Sequence, residues 1–222
     1  PYTVDGLLSY PDFIDSEILR NSSQNSLIPS SISDVMRLLG VFYVNHRNVS
    51  GFVQPSRGDG SCFYNAVAQF IELYHIDIRD LFDDAVRYLE DTLDLDETYE
   101  FHTAWYGIGK TSISMELRLI AAAYILRHKE KFVGTFAGDI VNFVYEHVIE
   151  LYSLAGQQVI VALSNVLGKN IYVISPKSDP QYDVYHKVPG SDATIVVLHK
   201  GEAHYDLLIT PRQMAFIAYG FY

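Results

Sequence analysis

A single cysteine stands in the chain's 222 residues. It is Cys62, and it follows the run Arg57-Gly58-Asp59-Gly60-Ser61. An apolar stripe at helical spacing begins directly after it, with Phe63, Ala66, Val67, Phe70, Ile71 and Tyr74 on one face. The thiol is therefore expected at a helix N-terminus, where unpaired N–H groups and the helix dipole favour a thiolate. Glycines let the preceding loop turn tightly and approach a substrate. Amides of Gly60 and Ser61, with those of the first helical turn, are candidate donors to an oxyanion. A thiol nucleophile needs a base that is distant in sequence and near in space. Of the eight histidines, His204 is the candidate. It sits in Gly201-Glu202-Ala203-His204-Tyr205-Asp206, after a glycine turn and at the head of a β-like run. Residues two apart share a strand face, so Asp206 can accept from one ring nitrogen of His204 while the other serves the thiol. Read without the cysteine motif, the pair would be an ordinary surface His-x-Asp. His199, at the end of a strand, is a weaker candidate, and His147 falls on an apolar helical stripe as a core histidine would.

The elements that must position these groups follow from the hydrophobic period. Ser22 to Ser31 reads as loop, with a short helix over Ser33–Leu39 that Ser33 could cap. After the helix that starts at Cys62, a second spans Ile78–Leu93, with Asp80, Asp83, Asp84, Glu90 and Asp91 on its polar face. Further helices centre on Leu117–Ile125, Ile140–Leu151 and Val159–Val166, the last closed by Gly168. The period then shortens to strands at Ile171–Ile174, Tyr182–His186, Thr194–His199 and His204–Ile209, and Pro211 opens a final helix. Helices first and strands late predict an α+β layered fold, with a small central sheet from the C-terminal half packed between helices. Residues 1–50 read as an N-terminal extension or lead-in, and residues 51–222 as the catalytic domain.

Counting 27 acidic against 16 basic residues leaves a net charge of -11. That balance disfavours nucleic acid and anionic membrane and suits a basic partner. No apolar run reaches membrane-spanning length and no signal pattern opens the chain. One cysteine permits no internal disulfide and no Cys-rich zinc site. An intracellular, cytoplasmic setting is expected, the host cytoplasm if the source is a pathogen or symbiont.

Asp59-Gly60-Ser61-Cys62-Phe63-Tyr64 and His204-Tyr205-Asp206 together resemble the nucleophile and base motifs of the ovarian-tumour (OTU) family of deubiquitinases. Glu116 to Ile125 resembles that family's middle helix, and Gly156 to Ile174 its late helix-then-strand element. The resemblance covers roughly residues 50–210. Leu154-Ala155-Gly156 and Val159-Ile160-Val161 depart from the family's usual residues and mark a divergent member. The resemblance implies a papain-like fold and thiol-dependent cleavage after the C-terminal glycine of ubiquitin, polyubiquitin or a ubiquitin-like protein, without metal or organic cofactor. It implies Cys62 as nucleophile, His204 as base and Asp206 as its orienter. Asp59 either holds the loop or joins the triad. It also sets the acidic helix of Asp80 to Asp91 beside bound ubiquitin. The alternatives are a catalytically silent ubiquitin-binding module of the same fold, or another Cys–His acyl-transfer enzyme.

Overall fold

The computed structural model describes residues 30–46, 49–93, 112–150, 153–175, 184–191, 193–200 and 204–219. Among them run α1 (Ser30–Leu39), β1 (Phe42–His46), β2 (Val49–Gln54), α2 (Cys62–Leu73), α3 (Arg79–Thr92) and α4 (Ile113–Arg127). Then come α5 (Ile140–Val144), α6 (Gln157–Leu167), β3 (Asn170–Ile174), β4 (Val184–His186), β5 (Thr194–Lys200), β6 (His204–Ile209) and α7 (Pro211–Tyr219). The strands follow the order β1-β2-β6-β5-β3-β4. The expected α+β class holds, and the four late strands form where the shortened period puts them. The expected loop over Ser22–Pro29, the turn at Gly201–Ala203 and the first residues of the Tyr182–His186 run lie outside the described residues.

The chain gathers into two compact units. One comprises Pro1–Ser56, Val173–Val184 and Val196–Tyr222, the other Arg57–Tyr172 and Tyr185–Ile195. In the first, β1 and β2 form an antiparallel hairpin, Phe42 opposite Val53, and β2 pairs antiparallel with β6, Val53 opposite Leu208. Residues 30–46 and 49–50 contribute α1, β1 and the start of β2 to this unit. Strand β2 is closely packed at Gly51. A Cβ there would stand 2.9 Å from both the Ile209 carbonyl oxygen and Leu208 Cδ1. Helix α7 packs on α1 and β2. Helix α1 begins at Ser30, so Ser33 lies inside it and does not cap it.

In the second unit α4 packs against α2, α3 and α6. Its buried residues, Ser114, Leu117 to Ala123, Ile125 and Leu126, lie all round the helix rather than on one face. Helix α3 buries Ala85 and Leu89 and turns Asp80, Asp83, Asp84 and Asp91 outward, as its period predicts, while Glu90 is half-buried. Helix α6 ends on Gly168 in the left-handed region, φ +62°. After α5 the chain makes a π-helical turn over Tyr145–Ile149. That turn corrects the reading of His147 as a core residue, since its side chain is 60% exposed. A wider turn places residues five apart on one face, so Val144, Val148 and Ile149 point inward and His147 rotates out.

Candidate functional site

Cys62 is the first residue of α2 and is 2% exposed. The loop before it is organised by Asp59. One carboxylate oxygen, Oδ1, accepts from the Ser61 N–H at 3.0 Å and from Asn65 Nδ2 at 3.3 Å. Gly60, between donor and acceptor, takes φ +78°, a conformation that favours glycine. Asp59 therefore ties its loop to the first turn of α2. The Ser61 amide, expected as an oxyanion donor, already donates to Asp59.

Beneath this loop lies a group that the sequence reading did not single out. Arg118, from the middle of α4, is 1% exposed. Its Nη2 donates to Ser61 Oγ at 2.9 Å and to the Ser153 carbonyl at 3.0 Å. Its Nη1 donates to the carbonyls of Val148 and Glu150 at 2.9 and 3.1 Å and to Ser153 Oγ at 3.0 Å. The guanidinium carbon stands 4.0 Å from the centre of the Tyr64 ring. All five acceptors are neutral. Burial pulls the guanidinium down from its ordinary value, and the negative forms of Tyr64, Asp59 and Cys62 oppose that pull. Burial also pushes the Tyr64 hydroxyl up, so the ring stays neutral under the cation. A lone arginine inside the run Leu117-Arg118-Leu119-Ile120-Ala121 was the available signal, because a charge in an all-buried stretch must have partners.

In the first unit, His204 opens β6 and its Nε2 lies 2.9 Å from Asp206 Oδ1. The two residues share a strand face, as expected. The same oxygen of Asp206 accepts the Ser56 N–H at 2.8 Å, and Oδ2 accepts Lys200 Nζ at 2.6 Å. Burial of Asp206 (2% exposed) pushes its carboxyl up. Hydrogen bonds from Lys200, the Ser56 amide and His204 outweigh that burial and hold it below its usual range. The structure thus joins His204 to Asp206 and joins Asp59 to the Cys62 loop. Lys200 was not anticipated, because its link to Asp206 follows from strand register.

Of the acids expected to meet a partner, Asp80, Asp83 and Asp91 are exposed and Glu90 is half-buried. Asp84 is engaged by Arg127. His199 stacks on Tyr205, ring centres 4.6 Å apart, and does not join the His204–Asp206 pair. Among the described residues no group of three His, Cys, Asp or Glu side chains could hold a metal ion. Among them, too, no helix is long and apolar enough to cross a membrane.

The arrangement is that of an α+β protein with a cysteine at a helix start and a carboxylate-held histidine at a strand start. Among solved structures the chain resembles ceOTUB1 in its complex with ubiquitin aldehyde and UBC13~Ub. The identity is 19% and the TM-score 0.50, over 86% of this chain and 89% of that one. It also resembles h/ceOTUB1 with ubiquitin aldehyde and UBCH5B~Ub, at 18% identity and a TM-score of 0.51, over 88% of this chain and 87% of that one. The chain has the OTU fold. No family model matches it, and no curated protein does.

Proposed function

We propose that the protein is a thiol-dependent deubiquitinase, cleaving after the C-terminal glycine of ubiquitin or a ubiquitin-like protein. The observation that carries this reading is the 2.9 Å contact from His204 Nε2 to the buried Asp206. A carboxylate that holds one ring nitrogen fixes the tautomer and supports the imidazolium, and Nδ1 is then the nitrogen for proton traffic. In the proposed reaction His204 takes the Cys62 proton, and the thiolate adds to the glycine carbonyl. Collapse expels the substrate lysine amine, which leaves with the proton from His204. Water, deprotonated by His204, then attacks the thioester. Collapse expels the Cys62 thiolate, which regains its proton from His204, and ubiquitin leaves as a carboxylate once its acid proton passes to solvent. Asp59 holds the nucleophile loop, and Asp206 orients the base. Two proteins of this fold were solved with ubiquitin aldehyde, which makes ubiquitin the first substrate to try.

Ubiquitin bearing a C-terminal alkyne should form an adduct on Cys62, seen as a mass increase equal to the probe. The Cys62→Ala variant should form none. A gel panel of the eight diubiquitin linkages then gives the preference. Absence of both adduct and cleavage would overturn the reading. The 2% exposure of Cys62 favours a second reading, a silent ubiquitin-binding module. Ubiquitin binding without adduct would establish that instead.

A further inference from the structure

Ser61 holds the N-cap position of α2, one residue before Cys62. A serine there ordinarily lets its hydroxyl accept from the second or third amide of the helix, and does so from an extended backbone. Ser61 does neither. Its hydroxyl makes no cap bond, and its backbone sits at φ -97°, ψ 10°. Each of its polar groups is engaged elsewhere. The amide donates to Asp59 Oδ1 at 3.0 Å, and the carbonyl accepts the Asn65 N–H at 2.8 Å. The hydroxyl accepts from Arg118 Nη2 at 2.9 Å. The guanidinium makes four further hydrogen bonds, to the carbonyls of Val148, Glu150 and Ser153 and to Ser153 Oγ. It comes from the middle of α4, which packs on α2, α3 and α6. A group anchored that way cannot follow the loop, so the loop must follow it.

We propose that Arg118 is a positioning residue for Cys62: its hold on the Ser61 hydroxyl keeps that serine from capping α2 and fixes the peptide that carries the thiol. Without the guanidinium, Ser61 turns its hydroxyl onto the first helical turn, and Cys62 turns with it. A nucleophile must stand about 3–3.5 Å from the atom it attacks, so a displacement of that kind is felt in the chemical step more than in binding. The catalytic consequence rests on the proposed role of Cys62, whereas the placement of the loop by Arg118 does not.

Two serines on the same guanidinium supply the test. Ser61→Ala removes the hydroxyl on Nη2 beside the nucleophile, and Ser153→Ala removes the one on Nη1 after the π turn. Ser61→Ala should lower kcat on a fluorogenic ubiquitin substrate by roughly ten-fold or more with KM little changed. Ser153→Ala should lower Tm by as much and leave kcat where it is. Arg118→Met should lose kcat as Ser61→Ala does, and the double variant should lose no more than Arg118→Met alone. Where Arg118→Met does not fold, the serine pair decides alone. A second readout needs no turnover. Cys62 is the sole cysteine and is 2% exposed, so iodoacetamide reaches it through local opening of the loop. Alkylation at fixed pH, followed by mass, should speed up several-fold in Ser61→Ala and not in Ser153→Ala. A purely structural guanidinium would make the two serine variants alike in kcat and in alkylation, and that result overturns the proposal. Additive losses in the double variant overturn it equally. If alkylation follows the expected order but the wild type turns over no ubiquitin substrate, the positioning stands and the deubiquitinase reading fails.

Discussion

The roles assigned to Cys62, His204 and Asp206 predict a graded loss. Cys62→Ala removes the nucleophile and should abolish turnover with the fold intact. His204→Ala should cost at least the 10²–10⁴-fold that a positioned acid–base group typically contributes, on the order of the cysteine change. Asp206→Asn should be milder, because the amide oxygen still accepts from the ring but supports the imidazolium less. Rates on a fluorogenic ubiquitin substrate check the order. Full activity in Asp206→Ala would move the orienting role to another group. Asp206 also predicts a pH effect on stability. Its carboxyl is held below the usual carboxylate value of about 3.9. The ionised form therefore stabilises the fold in full above that value, and the contribution disappears as pH falls through the lower folded value. Urea melts of wild type and Asp206→Asn should differ most near neutral pH and converge below about pH 4. A constant difference down to pH 3 would show that the carboxylate's charge contributes nothing.

At the scale of elements, Arg118 joins the middle of α4 to the loop before α2 and to the chain just after the π turn. Arg118→Met should destabilise the protein by about 3 kcal/mol or more, since buried acceptors at Val148 and Ser153 lose their donor. Arg118→Lys keeps the charge but not the planar fork, and should recover only part of that. Denaturant melts measure both, and a Met variant as stable as wild type would refute this account. The sequence displayed α2, α3, α6 and the late strands because each repeats its period without interruption. It concealed β2 for a physical reason. Gly51 is required where Leu208 and Ile209 press closest, and a glycine there interrupts the alternation that marks a strand. The Cys62 loop and the His204–Asp206 pair were legible because their partners lie within a few residues. Arg118 and Lys200 act through register and packing. Arg118 reaches Ser61 across 57 positions of sequence, and no local spacing encodes that contact.

Over the whole molecule, the charge of -11 bears on how a partner arrives. Ubiquitin's binding face and tail are basic, so attraction should speed encounter more than it tightens the final complex. The exposed acids of α3 offer a local probe of this effect. Asp84 is already offset by Arg127, and Glu90 is half-buried. The informative set is therefore Asp80, Asp83 and Asp91, all exposed. Changing all three to Lys should raise KM for a ubiquitin substrate several-fold and leave kcat nearly unchanged, because no group in the proposed chemistry is touched. Screening acts over about 8 Å at physiological salt and about 3 Å at 1 M. Wild-type KM should accordingly rise with added salt, and the gap to the triple variant should close. A short uncharged peptide ending in Gly-Gly has no basic face to attract, so its slower cleavage should be insensitive both to salt and to the substitutions. Equal KM values for wild type and the triple variant at low ionic strength would make α3 ordinary solvated surface. A salt-dependent wild-type KM alongside that equality would place the attraction on other acids of the chain.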